Sequence, residues 1–172
     1  MNVRFMNPFV EAAYEVLKAE ARVSVTRGNL SLEKSALTAD EVTVLVSLVG
    51  QVQGVALYGL STAMGVALVS SMMMQEFNEF DDLARSGVAE LGNVITGRAS
   101  VKLAEAGFVS NISPPTLIQG TGVRISTLDF ARIVVPLSCP LGTLTVHLAL
   151  REAPTGKADG LVPIPEPPGS IS

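Results

Sequence analysis

Val42-Thr43-Val44-Leu45-Val46-Ser47-Leu48-Val49-Gly50-Gln51-Val52-Gln53-Gly54-Val55-Ala56-Leu57-Tyr58-Gly59-Leu60 decides the fold, because residues 42–75 hold no charged side chain and a hydropathy window would mark them as a membrane span. A bilayer-crossing helix needs about 20 continuous apolar residues. Here two glutamines and three glycines interrupt the run, and the first arm is short and rich in β-branched residues. The stretch therefore reads as two strands joined by a turn around Gly50–Gly54, followed by a helix that Ser61-Thr62 can cap and that ends near Gln75.

Outward from this hairpin, residues 5–21 have helical spacing, with Asn7 as the expected N-cap and Pro8 at the first helical position. Strands are expected within 22–32. Asn78–Asp82 interrupts before a long helix of about 81–107 that Gly107 ends. Strand-like segments follow at 109–112, 116–119, 123–126, 130–137 and 144–150, with a Pro114-Pro115 break among them. The two halves, about 1–75 and 80–150, echo each other: Gly54-Val55-Ala56-Leu57-Tyr58 is answered 88 residues later by Gly142-Thr143-Leu144-Thr145-Val146. The expected fold is α/β (α+β), an antiparallel sheet with long helices and an internal pseudo-two-fold repeat. Residues 1–150 form one domain. The tail, 151–172, carries five prolines and is expected to be extended or disordered rather than sheet or helix.

Composition bounds the function. The chain has 172 residues, 48% of them hydrophobic, enough to bury a single sizeable core. A net charge of −4 argues against nucleic-acid or anionic-membrane partners, which call for a basic face. One cysteine, Cys139, and one histidine, His147, leave no internal disulfide and no metal cluster to build. Charged residues within the first helix leave no signal-peptide core, so a cytoplasmic protein is expected. Cys139 reads as incidental and His147 as a sheet residue that is packed or half-exposed. Gly120-Thr121-Gly122 reads as a turn, and Met72-Met73-Met74 as core filler.

The chemistry-bearing candidate is Ser86-Gly87-Val88-Ala89-Glu90-Leu91-Gly92-Asn93-Val94-Ile95-Thr96-Gly97. At about 100° per residue, Val88, Leu91, Ile95 and Ala99 form a buried stripe, and Glu90 and Asn93 share the opposite face. Their neighbours on that face, Ser86, Gly97 and Ser100, are small, so the pair stands on a ridge that could enter another molecule's cleft. Spacing alone also fits an ordinary solvated helix face. Overlaying the first helix on this one at an offset of 79 puts Glu11 on Glu90 and Tyr14 on Asn93. Glu11 is then either a relic of a second site that lacks its carboxamide or a plain surface residue.

The Ser86–Glu90–Asn93 pattern, followed by Ile112-Ser113-Pro114-Pro115-Thr116 and Gly120, resembles the CheX branch of the CheC/CheX/FliY family of bacterial chemotaxis phosphatases. The likeness covers most of residues 1–150 and does not reach the tail. It implies a CheC-like fold, a homodimer, and hydrolysis of the phosphoaspartate of a CheY-like response-regulator receiver. It further implies that Asn93 orients the attacking water, that Glu90 anchors the receiver's lysine, and that Ser86, Gly97 and Ser100 lie on the partner-binding face. No cofactor or metal of the chain's own is implied; Mg²⁺ is expected in the receiver's site. Two other classes stay open: a non-catalytic receiver-binding or flagellar-switch-like module, and a small-molecule enzyme with Glu90 as base, for which the sequence offers no pocket signal.

Overall fold

The computed structural model describes residues 3–126 and 131–154. After a single 3-10 turn at Val3–Phe5, helix α1 spans Met6–Ala21. Short strands β1 (Thr26–Arg27), β2 (Ser31–Glu33) and β3 (Leu37–Thr38) precede the hairpin β4 (Val42–Gly50) and β5 (Val52–Leu60). Helices α2 (Thr62–Met73) and α3 (Asp82–Glu105) follow, then β6 (Ser110–Ile112), β7 (Thr116–Gln119), β8 (Arg124–Ile125), β9 (Arg132–Cys139) and β10 (Gly142–Glu152). The eight-stranded antiparallel sheet has the order β1-β9-β10-β5-β4-β6, with β2 also on β9 and β7 also on β4; β3 and β8 form a separate ribbon.

This order is symmetric between the halves. The hairpins β4–β5 and β9–β10 join through β5 and β10, where Tyr58 lies opposite Val146, the residue the 88-residue echo equates with it. The short strands of each half pair with the other half's hairpin, and β3 pairs with β8. Alternation on the strands sends Val42, Val44, Val46, Leu48, Tyr58 and Leu60 into the core beside buried residues of all three helices. Each fully buried aliphatic side chain contributes about 1.5–3 kcal/mol. The other sheet face is crossed by the chain between β2 and β4, where the Ser35 carbonyl accepts from the Arg132 guanidinium and the Asp40 side chain lies against Gly59.

Several boundaries differ from the sequence reading, each for a local reason. The helix α1 begins two residues earlier than an Asn7 cap allows: Phe5 is its N-cap, without a side-chain bond, and Asn7 and Pro8 lie inside the first turn. Pro8 is tolerated there because first-turn N–H groups have no intrahelical acceptor. The turn between β4 and β5 is tighter than expected, with β5 resuming at Val52. Arg151 and Glu152 continue β10, paired with Gln53 and Val52, so the sheet runs on until the prolines begin at Pro154. Met72 packs on the core, yet Met73 is exposed and Met74, the left-handed C-cap of α2, is 78% exposed. Residues 155–172 and the start of the 130–137 segment lie outside the described residues.

Candidate functional site

Helix α3 is held at both ends by local chemistry. Asp81 is its N-cap, its Oδ1 accepting from the Ala84 N–H at 2.8 Å, and Asp82 favours the positive end of the helix dipole. The helix stops at Gly107, whose φ of +98° belongs to the glycine region. Its interior carries glycines at 87, 92 and 97, each lowering intrinsic helix stability by about 1 kcal/mol relative to alanine. Tertiary packing therefore holds α3 in place. Val88, Leu91, Ile95 and Ala99 are buried as expected, and Ala84, Gly87, Gly92, Thr96 and Leu103 widen the stripe, because α3 contacts α1, α2 and the sheet.

That packing leaves little room at two of the glycines. A Cβ on Gly92 would lie 2.7 Å from Val44 Cγ1, and one on Gly87 would lie 3.2 Å from Val69 Cγ2. The close approach at Gly92 is pinned by a buried hydrogen-bond chain. Thr96 Oγ1 donates to the Gly92 carbonyl at 2.8 Å, so the Tyr58 hydroxyl, 2.7 Å away, is the donor to Thr96. Burial pushes the Tyr58 hydroxyl's pKa up, keeping it protonated. The turn bearing Asn93 is thereby fixed to β5.

On the outer side of this turn, Glu90 is exposed and Asn93 half-buried. Among the described residues, neither side chain is taken up by a hydrogen bond or an ion pair. Ser86 is exposed; Gly97 and Ser100 are half-buried, and the Ser100 hydroxyl donates back to the Gly97 carbonyl at 2.7 Å. The ridge is not flanked by small residues alone: Leu83 and Val101, on the same face, are 51% and 58% exposed.

Beside Asn93 lies an open groove of about 590 Å³, with Val94, Gly97, Val101 and Ile112 among its lining residues. Its rim is an ion cluster joining α1 to α3. Glu15 accepts from Arg98 at 3.0 Å and from Lys102 at 2.9 Å, and Glu11 lies 3.6 Å from Lys102. The hydrogen bond from Lys102, then that from Arg98, lowers the pKa of the Glu15 carboxyl. Glu11 thus serves as a helix clamp, and Tyr14 packs against the core. Acidic residues four apart on α1 facing basic residues four apart on α3 are a sequence signal that would have found this clamp.

Ile112 ends β6 just before the Pro-Pro break and lines the groove from its place opposite Leu48 on β4. Leu48 pairs with Ile112 and Leu45 with Thr116, so three residues on one side of the ladder oppose two on the other. Prolines cannot donate to a ladder, and Ser113 Oγ compensates by accepting the Ser47 N–H at 2.9 Å. The other sequence candidates stay apart from this face: Cys139 is a half-buried free thiol at the end of β9, and His147 is buried on β10. Its pKa is pushed down to about 4 by burial and by the neighbouring Arg132 charge.

The model of the family described as chemotaxis phosphatase CheX matches residues 42–138, which include both hairpin arms, α3 and the Pro-Pro-Thr segment. The chain belongs to that family. Among CheX relatives, the CheY-P phosphatase CheX of Thermotoga maritima is 27% identical over 74% of this chain and 83% of its own length. A CheC-like superfamily protein from Shewanella sp. PV-4 superposes with a TM-score of 0.80 at 27% identity, covering 88% of this chain and 99% of that one. The CheX of a CheX–CheY–BeF3–Mg²⁺ complex from Borrelia burgdorferi superposes with a TM-score of 0.75 at 28% identity, covering 88% of this chain and all of that one. Among the described residues, no helix is long and apolar enough to cross a membrane.

Proposed function

We propose that this CheX-family chain hydrolyses the phosphoaspartate of a CheY-like receiver domain in the cytoplasm, as a homodimer, with Asn93 and Glu90 as the working pair. The observation that carries the reading is that both side chains stand outward and unengaged on one face of a helix whose middle turn is locked from beneath by Tyr58 and Thr96. A carboxamide neither gives nor takes a proton near neutrality, yet it offers donors and an acceptor with which to hold a water. An acyl phosphate is already activated, so an in-line water and charge neutralisation are the main requirements. The Mg²⁺ and lysine of the receiver supply the charge. Asn93 orients the water, and Glu90 pairs with that lysine and sets the approach of the helix. The T. maritima relative's name and the B. burgdorferi complex support the same substrate class.

The test is the decay of phosphoryl label from a Mg²⁺-bound CheY-type receiver of the same organism, with wild type and with Asn93→Ala. Wild type should accelerate decay, and the variant should lose about 100-fold or more of that acceleration while folding normally. Acceleration that survives Asn93→Ala overturns the role of Asn93. Binding without acceleration by wild type would favour the non-catalytic module. Glu90→Gln should weaken binding without removing a pH-dependent limb of the rate; loss of such a limb would make Glu90 a base.

A further inference from the structure

The three glycines of α3 are not equivalent. At 92 an added Cβ would force Val44 to shift, and at 87 it would press on Val69 and Met73 at 3.2–3.3 Å, whereas a Cβ on Gly97 would meet only Ile112 Cδ1, at an ordinary 3.8 Å. Gly97 therefore lowers helix propensity without any packing among the described residues that requires it. What it keeps open is the groove beside Asn93, walled by Val94, Val101 and Ile112. Val101, far more exposed than a buried wall would be, is an apolar side chain awaiting cover.

Most of the rim's charges are paired with one another, although Glu105, also on the lining, makes no ion pair among the described residues. Glu15 is satisfied by Arg98 and Lys102, and Lys102 also faces Glu11. An apolar floor inside a largely ion-paired rim is the anatomy of a protein–protein contact, in which an anchor residue fills a pocket and the polar rim excludes water. Because Asn93 itself lines the groove, whatever docks there is continuous with whatever meets Asn93. We propose that the groove between Gly97, Val94, Val101 and Ile112 seats an apolar side chain projecting from the receiver surface beside its phosphoaspartate, making Gly97 and Val101 specificity-determining residues. The proposal rests on the receiver-phosphatase reading and adds the partner's anchor to it.

The experiment uses the full chain and a CheY-type receiver of the same organism. The dissociation constant is measured for the beryllofluoride- and Mg²⁺-loaded receiver, and KM and kcat for the phosphorylated one. Gly97→Leu fills the groove and Val101→Asp places a charge on its wall; both positions face outward, so circular dichroism should match wild type, and Gly97→Leu should melt no lower than wild type. Each should raise the dissociation constant and KM by about tenfold or more, with kcat at saturation within about twofold of wild type. Gly97→Ala, whose methyl fits, should have a smaller effect than Gly97→Leu. Unchanged constants for both variants, with wild type active, would overturn the groove and leave the phosphatase reading standing. Binding that falls in the variants while wild type accelerates nothing would uphold the groove and overturn the phosphatase reading. No receiver binding by wild type, or an effect confined to self-association, would remove the receiver as occupant and overturn the proposal.

Discussion

Replacing Gly92 and Gly97 separately by alanine should move stability in opposite directions, although both sit in the interior of one helix. Each substitution gains about 0.5–1 kcal/mol from helix propensity and a less flexible unfolded chain. At 97 the new methyl meets only Ile112 Cδ1 at 3.8 Å, so the gain is kept. For a domain of this size that raises Tm by about 2–4 °C per kcal/mol. At 92 the methyl would sit 2.7 Å from Val44 Cγ1, 3.2 Å from Val44 Cβ and 3.3 Å from Tyr58 Cδ2. Val44 is β-branched and lies on β4, paired with Tyr58 on β5 and Leu117 on β7, so it has little room to turn aside. Overpacking of this kind costs about 1–3 kcal/mol, which exceeds the propensity gain. The net effect at 92 is a loss of about 1 kcal/mol and a Tm lower by a few degrees. Thermal melts of both variants by calorimetry decide the matter. Stabilisation by Gly92→Ala equal to that by Gly97→Ala would refute the close approach of α3 to the sheet, and destabilisation by Gly97→Ala would refute the open groove.

Tyr58→Phe removes the donor to Thr96 while Thr96 keeps its bond to the Gly92 carbonyl, so denaturant unfolding should show a loss of about 1 kcal/mol. His147 has a folded pKa near 4, below the ordinary 6.5, so between these values the unfolded chain binds the proton and the folded chain does not. Its contribution is therefore absent above pH 6.5 and grows into a penalty of up to about 3 kcal/mol as pH falls to 4. The stability difference between pH 7 and pH 4.5 in urea titrations should shrink in His147→Gln, and an unchanged difference would show that His147 titrates normally.

The parts of the fold legible in the sequence are those with a local cause. The hairpin of 42–60 showed through its β-branched run and its glycines, and the start of α3 showed as the interruption at Asn78–Asp82, where the Asp81 side chain caps the helix. The stripe of Val88, Leu91, Ile95 and Ala99 followed from helical spacing. What escaped depends on distant partners. Nothing local tells Met74 that α2 has ended before it, or tells Leu83 and Val101 that no helix will cover them. Ile112 reaches the groove only through its pairing with Leu48 on β4, 64 residues earlier. The pair Glu90 and Asn93 was legible as a face, whereas the groove beside it joins α3 to β6 and has no signature in either segment alone.

The two long helices show how one face of a repeated scaffold can be spent on structure while the other is left for a partner. At the offset of 79, Glu11 and Tyr14 of α1 correspond to Glu90 and Asn93 of α3. Glu11 and its neighbour one turn on, Glu15, face Lys102 and Arg98, and Tyr14 packs against the core. The acids of α1 therefore hold α3 in place, and a tyrosine occupies the position where α3 carries its carboxamide. On α3 the equivalent acid and amide make no hydrogen bond or ion pair among the described residues, and the turn beneath them is fixed by Tyr58 and Thr96. A rigid helix whose outward polar pair has no internal partner is preorganised for an external one, because no contact must be broken before the pair is used. The asymmetry between the helices, rather than the motif alone, supports the proposed single working site per chain, beside the Gly97 groove.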